Sequence, residues 1–215
     1  MSDFEQIRDE RGRAAEYHVN NTLHRSLGAV RFRESDFPVE SYYLFDGIIL
    51  PAGQNRYTEV DHLLVSAKGI FAIETKSIHG KVFGERNSQK WHSASPTKNG
   101  QLYDRGFTNP FKQNQLHISA VQDVLTNAEL KSWVNNVVVL VDADSTGWEP
   151  GHWGADPIQD LFLSAKDLAK NILARESVFS LSETAHIARL FQRFYVERDA
   201  LRVKFNEQIL GSKGA

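Results

Sequence analysis

The chain has 215 residues, 41% hydrophobic and 24% charged, enough for one compact domain with a continuous core. It contains no cysteine, which excludes a disulfide scaffold, a thiolate metal site and a cysteine nucleophile. The formal net charge of −2 gives no bulk attraction to nucleic acid, so such a partner would need a locally basic face.

The charged N-terminal stretch MSDFEQIRDERG does not read as a signal peptide. The apolar run Val137–Val141 is far too short for a bilayer, so the expectation is a soluble, cytoplasmic protein without membrane contact. From Phe4 to Leu27, apolar residues recur at spacings of mostly three and four (Val19, Leu23, Leu27), which predicts an amphipathic helix ended by Gly28. Two β-rich stretches follow, Tyr42–Leu50 and Tyr57–Ser66, joined by a turn-rich connector. A tight turn at Ala67-Lys68-Gly69 leads into a strand over Ile70–Lys76, and Gly80 and Gly84 bracket a short strand, Lys81–Phe83. Residues 87–108 read as polar and irregular, with Trp91 as an anchor.

Asn109 and Pro110 suit the cap and first turn of a helix carrying Phe111, Val121, Val124 and Leu125. Val137–Val141 reads as a buried strand, the acidic stretch 142–156 as a loop, and Leu161–Leu163 as a short strand. Ser164 caps a helix running to Arg175. A last helix over Ser182–Leu210 would be about 43 Å long at 1.5 Å per residue. The order gives an α/β fold: a mixed central β-sheet flanked by helices, with residues 1–180 as the core. Residues 181–215 form a C-terminal helical extension. Its apolar stripe (Ile187, Phe191, Phe194, Leu201, Phe205, Ile209) either packs on the core or forms a homodimer contact.

The chemistry concentrates in the hairpin Thr58–Lys76. Pairing Ser66 with Gly69 sets Asp61 opposite Glu74, whereas pairing Ala67 with Ile70 sets Asp61 opposite Lys76. Both registers put Asp61, Glu74 and Lys76 on one face. Two carboxylates flanked by Leu63, Ile70 and Ala72 are costly without positive charge between them. Lys76 supplies one charge, and Mg²⁺ (with Mn²⁺ as a substitute) fits the rest because it keeps waters and needs few protein ligands. An Asp, a Glu and a Lys around Mg²⁺ suit phosphodiester hydrolysis.

These residues carry a resemblance. The stretch NRYTEVDHLLVSAKGIFAIETKSIHGKVFG, a following tryptophan and then NPFKQNQLHISAV resemble the nuclease-related domain family of the PD-(D/E)xK nuclease superfamily. The family's Gly-Glu pair is matched by Ala15-Glu16, its aspartate strand by Asp61, its Glu-x-Lys by Glu74-Thr75-Lys76, and its Asn-Pro-x-x-Gln by Asn109 to Gln113. Ala15 replaces the glycine, and Val60 stands where the superfamily's proline would precede Asp61. The resemblance implies a restriction-endonuclease-like core acting as a Mg²⁺-dependent nuclease, with DNA as the first-choice substrate. It implies that Asp61, Glu74 and the Thr75 carbonyl ligate the metal and that Lys76 positions the attacking water. Glu16 would reach the metal or its waters, and Gln113 would orient a ligand, a water or the substrate phosphate.

Between Lys68 and His117 the sequence carries eight Lys or Arg against three acidic residues, interleaved with Trp91, Tyr103 and Phe107. Lys81, Arg86, Lys90, Arg105 and Lys112, with Asn109, are the candidate nucleic-acid contacts. Two alternatives stand beside the nuclease. One is a catalytically silent nucleic-acid-binding or partner-interaction module on the same fold, to which a DNA-processing protein could supply affinity. The other is a TOPRIM-type Mg²⁺ enzyme using Asp142 and Asp144, which would leave Lys76 without a role.

Overall fold

A computed structural model describes residues 3–29, 41–53, 55–96, 99–143 and 159–213. The chain runs α1 (Asp3–Leu27), β1 (Tyr42–Pro51), β2 (Tyr57–Ser66), β3 (Gly69–Phe83), β4 (Lys90–Pro96), β5 (Leu102–Thr108) and α2 (Pro110–Asn127). It continues through β6 (Val134–Ala143), β7 (Leu161–Phe162), α3 (Ala165–Ala174), α4 (Leu181–Val196) and α5 (Arg198–Lys213). The sheet is mixed: β1, β2 and β3 are antiparallel, while β6 lies parallel to β3 and β7 parallel to β6. Helices α2 and α4 cover one face through Val121, Val124, Ala188 and Phe191. Helices α1 and α3 cover the other through Val19, Leu23, Leu168 and Ile172.

Local chemistry explains the helix starts. Asn109 Oδ1 accepts from the Phe111 N–H at 2.9 Å with Pro110 in the first turn, and Ser164 accepts from the Asp167 N–H. Ser180 and Glu183 form a reciprocal capping box on α4.

Four expectations change. The single helix Ser182–Leu210 is two helices, broken at Glu197, whose backbone (φ −84°, ψ 3°) leaves the helical range. Along the stripe, Ile187, Phe191 and Leu201 are buried, while Phe194, Phe205 and Ile209 are half-buried. Ile70–Lys76 and Lys81–Phe83 are one strand, β3, with an irregularity between Ser77 and Gly80. Residues 90–108, expected to be irregular, form the β4–β5 hairpin, closed onto the core by a fully buried Trp91. A Cβ on Gly84 would lie 2.2 Å from the Trp91 ring, so that close approach requires glycine. Finally, Asp142 belongs to the end of β6 and not to a loop, while Asp144 and the rest of the acidic stretch lie outside the described residues.

Candidate active site

The site begins where two strands part. β2 and β3 pair from Ser66↔Gly69 to His62↔Ile73, the first of the two registers, and the described ladder ends there. Asp61 and Glu74 are the next residues along, so they flank the opening instead of forming a laddered pair. Asp61 turns into the gap, where its Oδ2 accepts from the Thr75 N–H at 2.8 Å, taking the place of a strand partner. Beyond this point β2 stays with β1 and β3 stays with β6.

The β1–β2 pair changes phase at the same level. Tyr43, Phe45, Leu63 and Val65 pack in the core under α2 and α4, but so do Ile48, Leu50 and Val60, which strict alternation would send to the other face. Gly47, the residue that faces Asp61 in this register, carries the change with φ +57°, a left-handed backbone that favours glycine.

On the other wall, Glu74 is held from two sides. Lys76 Nζ lies 2.7 Å from its Oε1, and His117 Nε2 of α2 lies 3.3 Å from its Oε2. His117 Nδ1 lies 2.7 Å from Thr58 Oγ1, which bridges α2 back to β2. Asn114, one turn earlier on α2, donates to the Ala72 carbonyl at 2.8 Å and to Asn136 Oδ1 at 2.9 Å. That staple fixes the helix against β3 and β6. Gln113 is half-buried and four residues before His117, which puts both on the same helix stripe.

The two carboxyls respond oppositely. Burial pushes Asp61 well above the ordinary carboxylate range, and the Glu74 and Glu16 carboxylates push it further. Burial also raises Glu74, but His117 and Lys76 outweigh it and leave the group below its ordinary value. Glu16 on α1 is raised by burial and then by Glu59 and Glu74, so it lies within electrostatic reach of the pair. The structure thus brings Glu16, Asp61, Glu74, Thr75 and Lys76 to one place, with Gln113 on the adjoining helix.

The donor set fits a hard divalent cation. Both Glu74 carboxylate oxygens are buried, paired with Lys76 and His117, and lie within electrostatic reach of the Asp61 carboxyl. Among the described residues, no group of three or more His, Asp or Glu is arranged to hold a metal by itself. Asp61, Glu74 and a backbone carbonyl would therefore leave water in the remaining positions, which is how Mg²⁺ is usually bound.

The expected nucleic-acid contacts do not gather on one face. Lys81 and Lys90 share the outer face of the β3–β4–β5 sheet, beside a depression of about 520 Å³ lined by Phe83, His92 and Asp104. Arg105 is on the opposite face, in register with Ser93 and Val82. Lys112 is half-buried beside Gln113. The Arg86 guanidinium stacks 4.2 Å over the Phe111 ring and bonds to the Gln159 carbonyl, so it is engaged in packing. Asn109 is a correction: it is fully buried, and its Nδ2 donates to the Glu85, Arg86 and Ser88 carbonyls. It shapes the loop before β4 and cannot touch a polyanion.

The model of the nuclease-related domain matches residues 11–141, well over half of the chain. The chain belongs to the nuclease-related domain family. It is also 29% identical over 83 residues to an uncharacterized protein of Bacillus anthracis, a match covering 39% of this chain and 37% of that protein. The chain thus spans well under half the length of that curated relative. No solved structure matches it. The nuclease-related domain match ends inside β6, so α3, α4 and α5 lie beyond it.

Sequence reasoning missed His117, Asn114, Glu59 and Arg202. The i,i+4 spacing from Gln113 was the signal for His117. Nothing in the sequence announced Arg202, which reaches Glu59 from 143 residues away.

Proposed function

We propose that this protein is a divalent-metal-dependent nuclease that hydrolyses phosphodiester bonds, with DNA as its substrate and Mg²⁺ as its ion. The observation that carries the reading is the buried Glu74 carboxylate, held by Lys76 and His117 and set beside Asp61 at the strand split. Asp61, Glu74 and the Thr75 carbonyl would hold the cation. When bound, such an ion polarises a phosphate oxygen and lowers the pKa of water.

The chain's own residues do the rest. Lys76, whose side chain is 28% exposed, holds a positive charge at the mouth of the site, where it positions the incoming water and offsets developing phosphate charge. His117 holds the Glu74 carboxylate against rotation, and the Thr58 contact fixes the imidazole. Glu16 adds an anion on the α1 side, facing the metal or its waters, and Gln113 presents an amide for a water or a phosphate oxygen. Lys81, Lys90 and Lys112 supply phosphate contacts, and a DNA-processing partner would add affinity that the net charge of −2 does not. No described helix is long and apolar enough to cross a membrane.

Purified protein incubated with Mn²⁺ and with single- or double-stranded DNA or RNA tests the proposal. Cleavage is expected, and Lys76→Met should lower it by about 10²-fold or more while Mn²⁺ uptake persists. Metal uptake without cleavage of any nucleic acid would overturn the nuclease and favour the silent binding module. The 2.7 Å Lys76–Glu74 contact, which already neutralises the carboxylate, is what commends that second reading.

A further inference from the structure

Helix α5 lies outside the residues matched to the nuclease-related domain, yet it reaches the site. Arg202 Nη2 and Nη1 bind Glu59 Oε1 and Oε2 at 2.7 and 3.0 Å, a fork-to-fork pair. The same Nη2 lies 3.3 Å from the Gly47 carbonyl, the residue that faces Asp61 across the β1–β2 ladder. The fit is close: a Cβ on Gly47 would come within 3.1 Å of Glu59 Oε1 and 3.2 Å of Arg202 Nη2. Glu59 is two residues before Asp61 on β2, and both Glu59 and Arg202 act electrostatically on Glu16, with opposite signs.

We propose that Arg202 is a positioning residue for the metal site: it ties Glu59 to Gly47, keeps that carboxylate out of the Glu16–Asp61–Glu74 cluster, and so sets the number of anionic groups the cation meets. The inference rests on the proposed metal site and deepens it. Without the guanidinium, Glu59 becomes a further uncompensated carboxylate two residues from Asp61. The counter-charge is supplied by the end of the chain and not by the nuclease-related segment.

Mn²⁺ affinity, measured by calorimetry on the full chain at low salt, tests this apart from catalysis. Arg202→Gln should tighten Mn²⁺ binding several-fold, because Glu59 is freed. Glu59→Gln should weaken it several-fold, the double variant should return close to the unaltered protein, and Arg202→Lys should keep most of the original affinity. The differences should shrink as salt is raised, since both side chains are partly exposed. A clamp that only holds α5 in place would make both single substitutions weaken binding together, and that shared sign would overturn the proposal. Thermal unfolding of each variant confirms that folded protein is being compared. Binding without cleavage by the unaltered protein would remove the nuclease reading and leave this one standing, whereas no Mn²⁺ binding would remove both.

Discussion

The two walls of the cleft are built from like residues and behave in opposite ways. On the β2 wall, Asp61 has one backbone donor and faces two other carboxylates, and its proton is held tightly. On the β3 wall, Glu74 is buried but has Lys76 and His117 beside it, which hold it below its ordinary value. Burial alone therefore does not decide the state of an acid; the sign of its immediate neighbours does. The cleft thus holds one carboxyl whose neighbours favour its ionised form and one whose neighbours oppose it.

The largest break in this comparison should come from Glu74→Gln, which removes the carboxyl whose ionised form is favoured. Mn²⁺ binding and cleavage should both drop by about 10²-fold or more, read by calorimetry and a gel assay. His117→Ala comes next. It leaves Glu74 with Lys76 and releases Thr58, so it should cost about 1–3 kcal/mol in denaturant unfolding and cut cleavage roughly tenfold.

Asp61→Asn sharpens the contrast through stability. The raised carboxyl of folded Asp61 means that its ionised form costs stability, fully so above the folded pKa and not at all below the ordinary value near 3.8. The amide can still accept from the Thr75 N–H. Metal-free Asp61→Asn should therefore melt a few degrees higher than the unaltered protein near pH 8, with the gain fading as pH is lowered through the folded pKa of Asp61. Glu74 has the reverse linkage: its contribution is present above the ordinary carboxylate range and lost as pH falls through its depressed value. The smallest effect should be that of Asp142→Asn, an exposed residue whose bond to Ser77 Oγ is 3.3 Å long. Cleavage should be nearly unchanged. A large loss in folded protein would shift attention to the end of β6.

What could be read in the sequence was local. The turn at Ala67-Lys68-Gly69, the phase of Glu74 and Lys76, and the Asn109-Pro110 cap each depend on neighbours a few residues away, and all three are in place. The β4–β5 hairpin escaped because Lys90, His92, Ser93 and Ser95 show no apolar alternation, and its single deep anchor, Trp91, has no period. The break at Glu197 escaped because no glycine or proline marks it, so helical spacing reads straight through. The site was legible in its acids and its lysine. The strand split was not, because the groups around it come from elements distant in sequence: Glu16 on α1, His117 on α2 and Arg202 on α5.

One contact made by α5 has a consequence for solubility. Where β2 leaves β3, its main-chain groups on that side need another partner, and Tyr57 finds one in Gln208, which accepts from the Tyr57 N–H at 2.7 Å and donates to the Tyr57 carbonyl at 3.2 Å. A single side-chain amide thus imitates a residue of a neighbouring strand. The same divergence that opens the cleft also exposes a sheet border, the kind of surface on which a second molecule can add a strand. Gln208 blunts that border. A chain cut before α5 would keep the split but lose its cover, and should aggregate through β2 before it loses its core.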